Sequence, residues 1–139
     1  MGLDTFAART PVDVFGPGPR IEDDDFGCTA EDLEAFRRAE EECEREDGGC
    51  LFGGNYFRGK LYSSLLQHLT GQSLHATWIP PEMVREMSES LDRCDPEAAI
   101  RSYRETAPPY DDWGPPVVLQ LRRFFGVCAD RGLGLVGSW

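Results

Sequence analysis

The segment GNYFRGKL, residues 54–61, is the part of the sequence that comes closest to a known chemical motif. Gly54, Gly59 and Lys60 match the spacing of a P-loop, whose backbone N–H groups and lysine hold nucleotide phosphates. Leu61, however, stands where that loop needs a Ser or Thr hydroxyl for magnesium, and too few apolar residues precede the glycines to form its buried strand. The pattern therefore argues against a nucleoside triphosphatase.

A simpler anion site remains open in the same segment. Glycine-rich backbone that leads into a helix N-terminus can hold a phosphate or carboxylate without nucleotide chemistry. Because Arg58 and Lys60 would add positive charge, we take Gly54, Arg58, Gly59 and Lys60 as candidate ligand-binding residues. The competing interpretation is a tight structural connection in which Arg58 pairs with an acid of the N-terminal helix.

The sequence matches no known motif for metal binding or for covalent catalysis. The five cysteines and two histidines form no C-x2-C or H-x3-H pair, the spacing that closes on a tetrahedral zinc ion. The acids at 23–25 do not fit a calcium loop, because Cys28 occupies the position that requires glycine. Cys50 and a histidine could act as nucleophile and base, but no spacing supports the pair. We predict no catalytic residue, metal ligand or cofactor.

The formal net charge of −11 is concentrated in the N-terminal third. Residues 1–50 contain 15 acids and 5 bases, whereas residues 51–139 contain 10 acids and 9 bases. Nucleic acids and anionic membranes are themselves densely negative, so this charge argues against both as partners. It favours a basic protein partner, and we take three glutamates and one loop aromatic as the candidate interaction surface: Glu40, Glu41, Glu44 and Trp113. The alternative for Trp113 is a cover over a small core.

Two classes of function remain open on these observations. The leading hypothesis is a non-enzymatic interaction protein, an adaptor or inhibitor, whose acidic region meets a basic surface. The alternative is a small-ligand binder or enzyme that holds an anionic group at residues 53–60. In either case we expect a monomer or a simple homo-oligomer.

The periodicity of apolar residues predicts about five helices in one globular domain over residues 1–139, with core helices between 60 and 131. A capping-box pattern starts the first helix at Thr29, which should extend to about Asp47. The others are expected over these ranges: 60–70, 80–95, 96–105 and 117–131. LDTFA and LGLVGSW alternate as strands do, which predicts a minor β pair formed by the chain ends. The fold class is thus mainly α, with α+β as the alternative.

The sequence opens without a basic stretch followed by an apolar run, and no apolar run reaches the length of a membrane span. We therefore expect no signal peptide and a cytoplasmic location, where cysteines are reduced and mostly buried.

Three stretches of the sequence carry a resemblance: MGLDTFA at the start, FRGKLY with TWIPPEMVREM in the centre, and CADRGLGLVGSW at the end. Together they resemble a set of small prokaryotic proteins of unknown function. The resemblance implies a prokaryotic origin, and it implies that the FRGK loop and the WIPPE helix start belong to one framework. It implies no activity and no functional residue.

Overall fold

A computed structural model describes residues 4–9, 27–106 and 113–137. Within these ranges the chain forms five helices and five short strands. The helices are α1 (Ala30–Asp47), α2 (Gly59–Thr70), α3 (Pro81–Arg93), α4 (Pro96–Thr106) and α5 (Pro115–Arg131). The strands are β1 (Thr5–Ala8), β2 (Phe52–Gly53), β3 (Tyr56–Phe57), β4 (Trp78–Ile79) and β5 (Gly134–Gly137). All five predicted helices are present, with ends that differ from the predicted ones by at most two residues.

The strands form one antiparallel sheet in the order β2-β3-β1-β5-β4. The predicted pairing of the chain ends is present, because β1 and β5 pair from Thr5 opposite Gly137 to Ala8 opposite Gly134. The expectation of only a minor β pair is wrong, since three further strands extend the sheet and make the fold α+β. Those strands have two residues each, which is too short for an alternating pattern to be read from the sequence.

Local sequence signals explain where the helices begin and end. The Thr29 side chain accepts from the N–H of Asp32, and the Asp32 carboxylate accepts from the N–H of Thr29, which is the predicted capping box. α1 and α2 end at Gly48 and Gly71, which both have φ of 75°, a conformation that glycine adopts without steric cost. Within the described ranges, no helix is both long and apolar enough to cross a bilayer.

Helix α5 lies at the centre of the core and contacts α1, α3 and α4. Its fully buried Phe124 is the hub of an aromatic cluster that joins α1 and both strands of the β2–β3 hairpin. The ring centroids of Phe36, Phe52 and Phe57 lie 5.0, 5.3 and 4.9 Å from that of Phe124. Aromatic pairs at these separations contribute about 0.5–1.5 kcal/mol each beyond the area they bury. The cluster therefore fixes the hairpin against the helices.

The sheet is apolar on both faces. Ala7 and Leu135 point into the helical core, whereas Phe6, Ala8 and Val136 lie on the opposite face with Trp78. A side chain at position 134 would collide with the Trp78 ring, because a Cβ added to Gly134 would lie 2.5 Å from that ring.

A second close approach fixes the start of α2. A Cβ added to Gly59 would lie 2.0 Å from the Thr5 hydroxyl oxygen and 3.0 Å from the Thr5 Cβ. Strand β1 can therefore pass this close to α2 only because residue 59 is glycine.

This contact predicts that Gly59→Ala lowers the free energy of unfolding by about 1–3 kcal/mol, because the added methyl overpacks a closed site. Thr5→Ala in the same chain should restore much of the loss by removing the clashing hydroxyl. Gly126→Ala is the matched control: residue 126 lies inside α5 with open space around its Cβ position, so we expect a gain of about 0.5–1 kcal/mol. Urea unfolding of the four proteins measures these changes. Equal losses at both glycines would contradict the steric explanation.

Candidate functional site

The glycine-rich segment forms a β-hairpin that leads directly into α2. Gly54 has φ of 58° and forms the two-residue turn with Asn55 between β2 and β3. The buried Asn55 is tied to β1 twice: its carbonyl accepts from the N–H of Ala7 at 2.8 Å, and its side-chain amide donates to the carbonyl of Ala7 at 3.3 Å. The turn is thus a structural joint of the sheet.

The backbone N–H of Gly54 already has an acceptor. It donates to Oε2 of Glu40 at 3.1 Å, so an acid of α1 lies where an anionic ligand of this turn would sit. The half-buried Glu40 is consequently engaged with the hairpin. Two of the predicted candidates, Gly54 and Glu40, are therefore hydrogen-bonded to each other.

Arg58 and Lys60 lie beside the start of α2, and both side chains are exposed. Neither forms a hydrogen bond or ion pair with any residue in the described ranges, so the expected pairing of Arg58 with an acid of α1 is not formed. Arg58 is also the N-cap residue, and no side chain caps this helix start. Two cations and the positive end of a helix dipole are therefore close together. The nearby Thr5 hydroxyl is buried and has no hydrogen-bond partner within the described ranges.

Most acids of α1 are engaged within the protein. Glu34 holds Arg37 at 2.7 Å and Arg38 at 3.3 Å. Glu46 pairs with Arg123 of α5. The predicted interaction residues Glu41 and Glu44 differ: together with Glu42 they are exposed, and no described residue bonds to them. Fewer acids of α1 are thus available to a partner than the composition of the helix indicates.

Trp113 lies on the protein body just before α5. Its ring centroid is 4.9 Å from that of Tyr62, and it packs against the main core with its surface partly covered. Its carbonyl accepts from Arg104 at 3.3 Å. This placement fits the cover interpretation better than that of an interface anchor.

No group of three or more His, Cys, Asp or Glu side chains capable of holding a metal ion occurs among the described residues. The acids at 23–25, considered above for calcium, lie outside those residues. Ser102 and His68 are within 3.1 Å of each other, but both are exposed helix residues, and a nucleophile would also need a third orienting group.

The polar cluster that the sequence did not reveal is centred on Asp32. Its carboxylate is fully buried and accepts from Arg9 Nε and Nη2, both at 2.7 Å, from Arg131 Nε at 2.5 Å and from the N–H of Thr29 at 2.8 Å. The capping box was visible in the sequence. The two arginines were not, because they lie 23 and 99 residues away along the chain.

The electrostatics of this cluster follow from burial and hydrogen bonding. Burial alone would raise the pKa of Asp32, but the hydrogen bonds from Arg9, Arg131 and Thr29 outweigh it and hold that pKa well below its usual value. The carboxylate therefore stays ionised in the folded protein under all ordinary conditions. Each arginine side chain remains about one-third exposed, which keeps the second positive charge hydrated.

This arrangement predicts that Asp32→Asn lowers the free energy of unfolding by about 3–5 kcal/mol, since it leaves two guanidinium groups against a buried neutral amide. The folded-state pKa is depressed, so the stabilisation is complete above the unfolded pKa of about 4 and is lost below it. The difference between wild type and variant should accordingly shrink as the pH falls from about 5 to 2. Denaturant unfolding across that range measures it.

Glu34→Gln is the control for this experiment, because it removes an exposed carboxylate that also binds two arginines. We expect little change in stability at any pH. A loss as large as that of Asp32→Asn would mean that burial is not what makes Asp32 important.

Comparison with protein-family models, with curated proteins and with solved structures finds no match for this chain. The functional argument therefore rests on the side chains described above. Among the exposed charges that form no hydrogen bond or ion pair with a described residue, we consider two groups: the glutamates at the middle of α1, and the two cations at the start of α2.

Proposed function

We propose that this protein is a non-catalytic interaction protein that binds a basic partner surface through the exposed glutamates of α1. The observation that carries the proposal is the state of three neighbouring acids: the carboxylates of Glu41, Glu42 and Glu44 form no hydrogen bond or ion pair with a described residue, whereas those of Glu34, Glu40 and Glu46 do. We call Glu41, Glu42 and Glu44 the acidic face of α1.

The position of the acidic face suits contact with another protein. Glu41 and Glu44 are three residues apart, so their side chains lie one above the other on the same side of the helix, with Glu42 beside them. The opposite side of α1 is fixed to the core by Phe36, Ala39 and Cys43. Core packing thus fixes the orientation of α1, and the acidic face stays on the surface.

Neighbouring bases do not fully neutralise this face. Arg37 and Arg38 lie one turn earlier, but both bind Glu34. Arg45 is the remaining base on this part of the helix. Free carboxylates on a surface with net negative charge attract a cationic partner and accelerate its association, an effect that salt screens.

The test is binding of a defined cationic probe, an octalysine peptide, to the folded protein. We expect E41Q/E42Q/E44Q to weaken the affinity roughly tenfold at low salt, because three charge-assisted contacts are lost. Wild-type affinity should fall steeply as salt is added. Fluorescence anisotropy of a labelled peptide measures both effects.

The matched control is E82Q/E86Q/E97Q, which removes the same three charges from exposed positions of α3 and α4. If the peptide recognises a place on the protein, the control should keep most of the wild-type affinity. Equal weakening by the two triple variants would show a response to net charge alone and would overturn the proposal.

A second candidate is favoured by the unpaired cations at the start of α2. Arg58 and Lys60 flank a helix N-terminus that has no side-chain cap, an arrangement that favours a phosphate or carboxylate group. An anion at this site would be held by N–H groups of α2 alone, because the N–H of Gly54 already donates to Glu40.

For this candidate we expect inorganic phosphate to shift the amide resonances of Gly59 and Lys60 in a saturable manner. R58A/K60A should abolish the response without lowering thermal stability, because neither side chain has a partner to lose. R85A/R101A, which removes two exposed arginines from the middle of α3 and α4, is the control. Shifts that persist in R58A/K60A, or that are equally lost in the control, would exclude the site.

A further inference from the structure

Two arginines converge on one buried carboxylate at the start of α1. Arg9 binds Asp32 through Nε and Nη2, both at 2.7 Å, and Arg131 binds the same carboxylate through its Nε. A guanidinium group keeps its positive charge in proteins, so one carboxylate cannot neutralise two of them. The three side chains together therefore carry an excess of one positive charge.

The outer nitrogens of the two arginines have hydrogen-bonding capacity left. Nη1 of Arg9 and both terminal nitrogens of Arg131 donate no hydrogen bond to a described residue. The side chains of Arg9 and Arg131 are 36% and 34% exposed, whereas that of Asp32 is 0% exposed. Solvent thus reaches the arginines but not the carboxylate that holds them.

The buried carboxylate orders both guanidinium groups before any ligand binds. Arg9 follows β1 directly and Arg131 is the last residue of α5, so both side chains start from regular elements. Asp32 is itself held by the N–H of Thr29 at 2.8 Å. A mobile surface arginine loses conformational entropy when it binds an anion, whereas these two have lost much of it on folding. Such preorganisation favours binding.

The number of free donors favours a phosphate group as the ligand. Guanidinium groups bind carboxylates and phosphates through paired N–H···O bonds. A phosphate monoester presents three acceptor oxygens and roughly two negative charges, whereas a carboxylate presents two oxygens and one charge. Three free terminal nitrogens match the three oxygens, and a dianion gains more from the excess positive charge.

Neighbouring groups modify the local potential in opposite directions. The cluster lies at the N-terminus of α1, where the helix dipole adds positive potential. Glu31 and Asp130 precede Asp32 and Arg131 in the chain, and both are exposed acids. Neither forms an ion pair with a described residue, so they weaken the potential without occupying the free nitrogens.

We propose that the outer nitrogens of Arg9 and Arg131 form a binding site for a phosphate monoester. Asp32 does not touch the ligand and serves as the positioning residue. The site uses neither the acidic face nor the start of α2, so this inference stands if both of those proposals fail.

The experiment is an NMR titration of the isotope-labelled whole protein with methyl phosphate at constant ionic strength. The Nε–H groups of Arg9 and Arg131 both donate to Asp32, so their resonances report on this site directly. We expect both to shift in a saturable manner, and acetate to bind roughly fivefold more weakly because it carries less charge. Equal affinity for acetate would overturn the assignment of phosphate. Shifts confined to the amides of Gly59 and Lys60 would place the anion at the start of α2 and overturn this site.

Arg131→Gln removes two of the free nitrogens while it leaves a donor for Asp32. The amide nitrogen of glutamine stands at the same place along the side chain as Nε of arginine, and Arg9 still neutralises the carboxylate. We expect R131Q to remain folded and to bind methyl phosphate roughly tenfold more weakly, because charge-assisted hydrogen bonds are lost. Glu31→Gln should strengthen binding roughly twofold, since it removes a neighbouring negative charge.

Arg101→Gln is the matched control, because it removes an exposed arginine from α4. It should leave the affinity for methyl phosphate unchanged. Equal weakening by R131Q and R101Q would show a response to net charge alone and would overturn the proposal. If R131Q does not fold, the wild-type titration still decides: Nε–H resonances of Arg9 and Arg131 that do not respond to methyl phosphate exclude the site.

Discussion

The buried carboxylate of Asp32 is the constraint on which the arrangement of the chain depends. It caps α1 through Thr29, binds Arg9 just after β1 and binds Arg131 at the end of α5. A carboxylate removed from water is tolerated only when it is paired and its lone pairs are used. Three distant parts of the chain must therefore meet at one point, and two of them, Arg9 and Arg131, come just after β1 and just before β5, which pair inside the sheet.

Close packing fixes the parts of the fold that the Asp32 cluster does not reach. The aromatic rings around Phe124 hold the hairpin to α5. The absence of a side chain at Gly59 lets β1 approach α2, and the same absence at Gly134 lets Trp78 cover β5. The glycines of the 48–59 segment therefore serve turns and close contacts. That explains why a segment resembling a phosphate-binding loop is instead a joint between sheet and helix.

The internal use of charge also shapes the functional argument. Helix α1 is rich in acids, but most of them are hydrogen-bonded within the protein. Besides Asp32, the acids that accept such bonds are Glu34, Glu40, Glu46 and Asp47. In the second half of α1, what remains for a partner is the acidic face. Two side chains of α5, Arg123 and Gln120, bind Glu46 and Asp47 and so anchor the end of α1 to the core.

The sequence by itself determined the helices and their ends, because capping residues, prolines at helix starts, glycines at helix ends and apolar periodicity act within a few residues of one another. It also identified β1 and β5, whose four residues suffice for an alternating pattern. Tertiary structure alone decided the rest. The two-residue strands exist only through pairing: β3 pairs with β1, β4 with β5, and β2 with β3. Which acids stay free is known only once their partners are placed. The Asp32 cluster joins residues 23 and 99 positions apart in the chain, and no local pattern encodes such contacts.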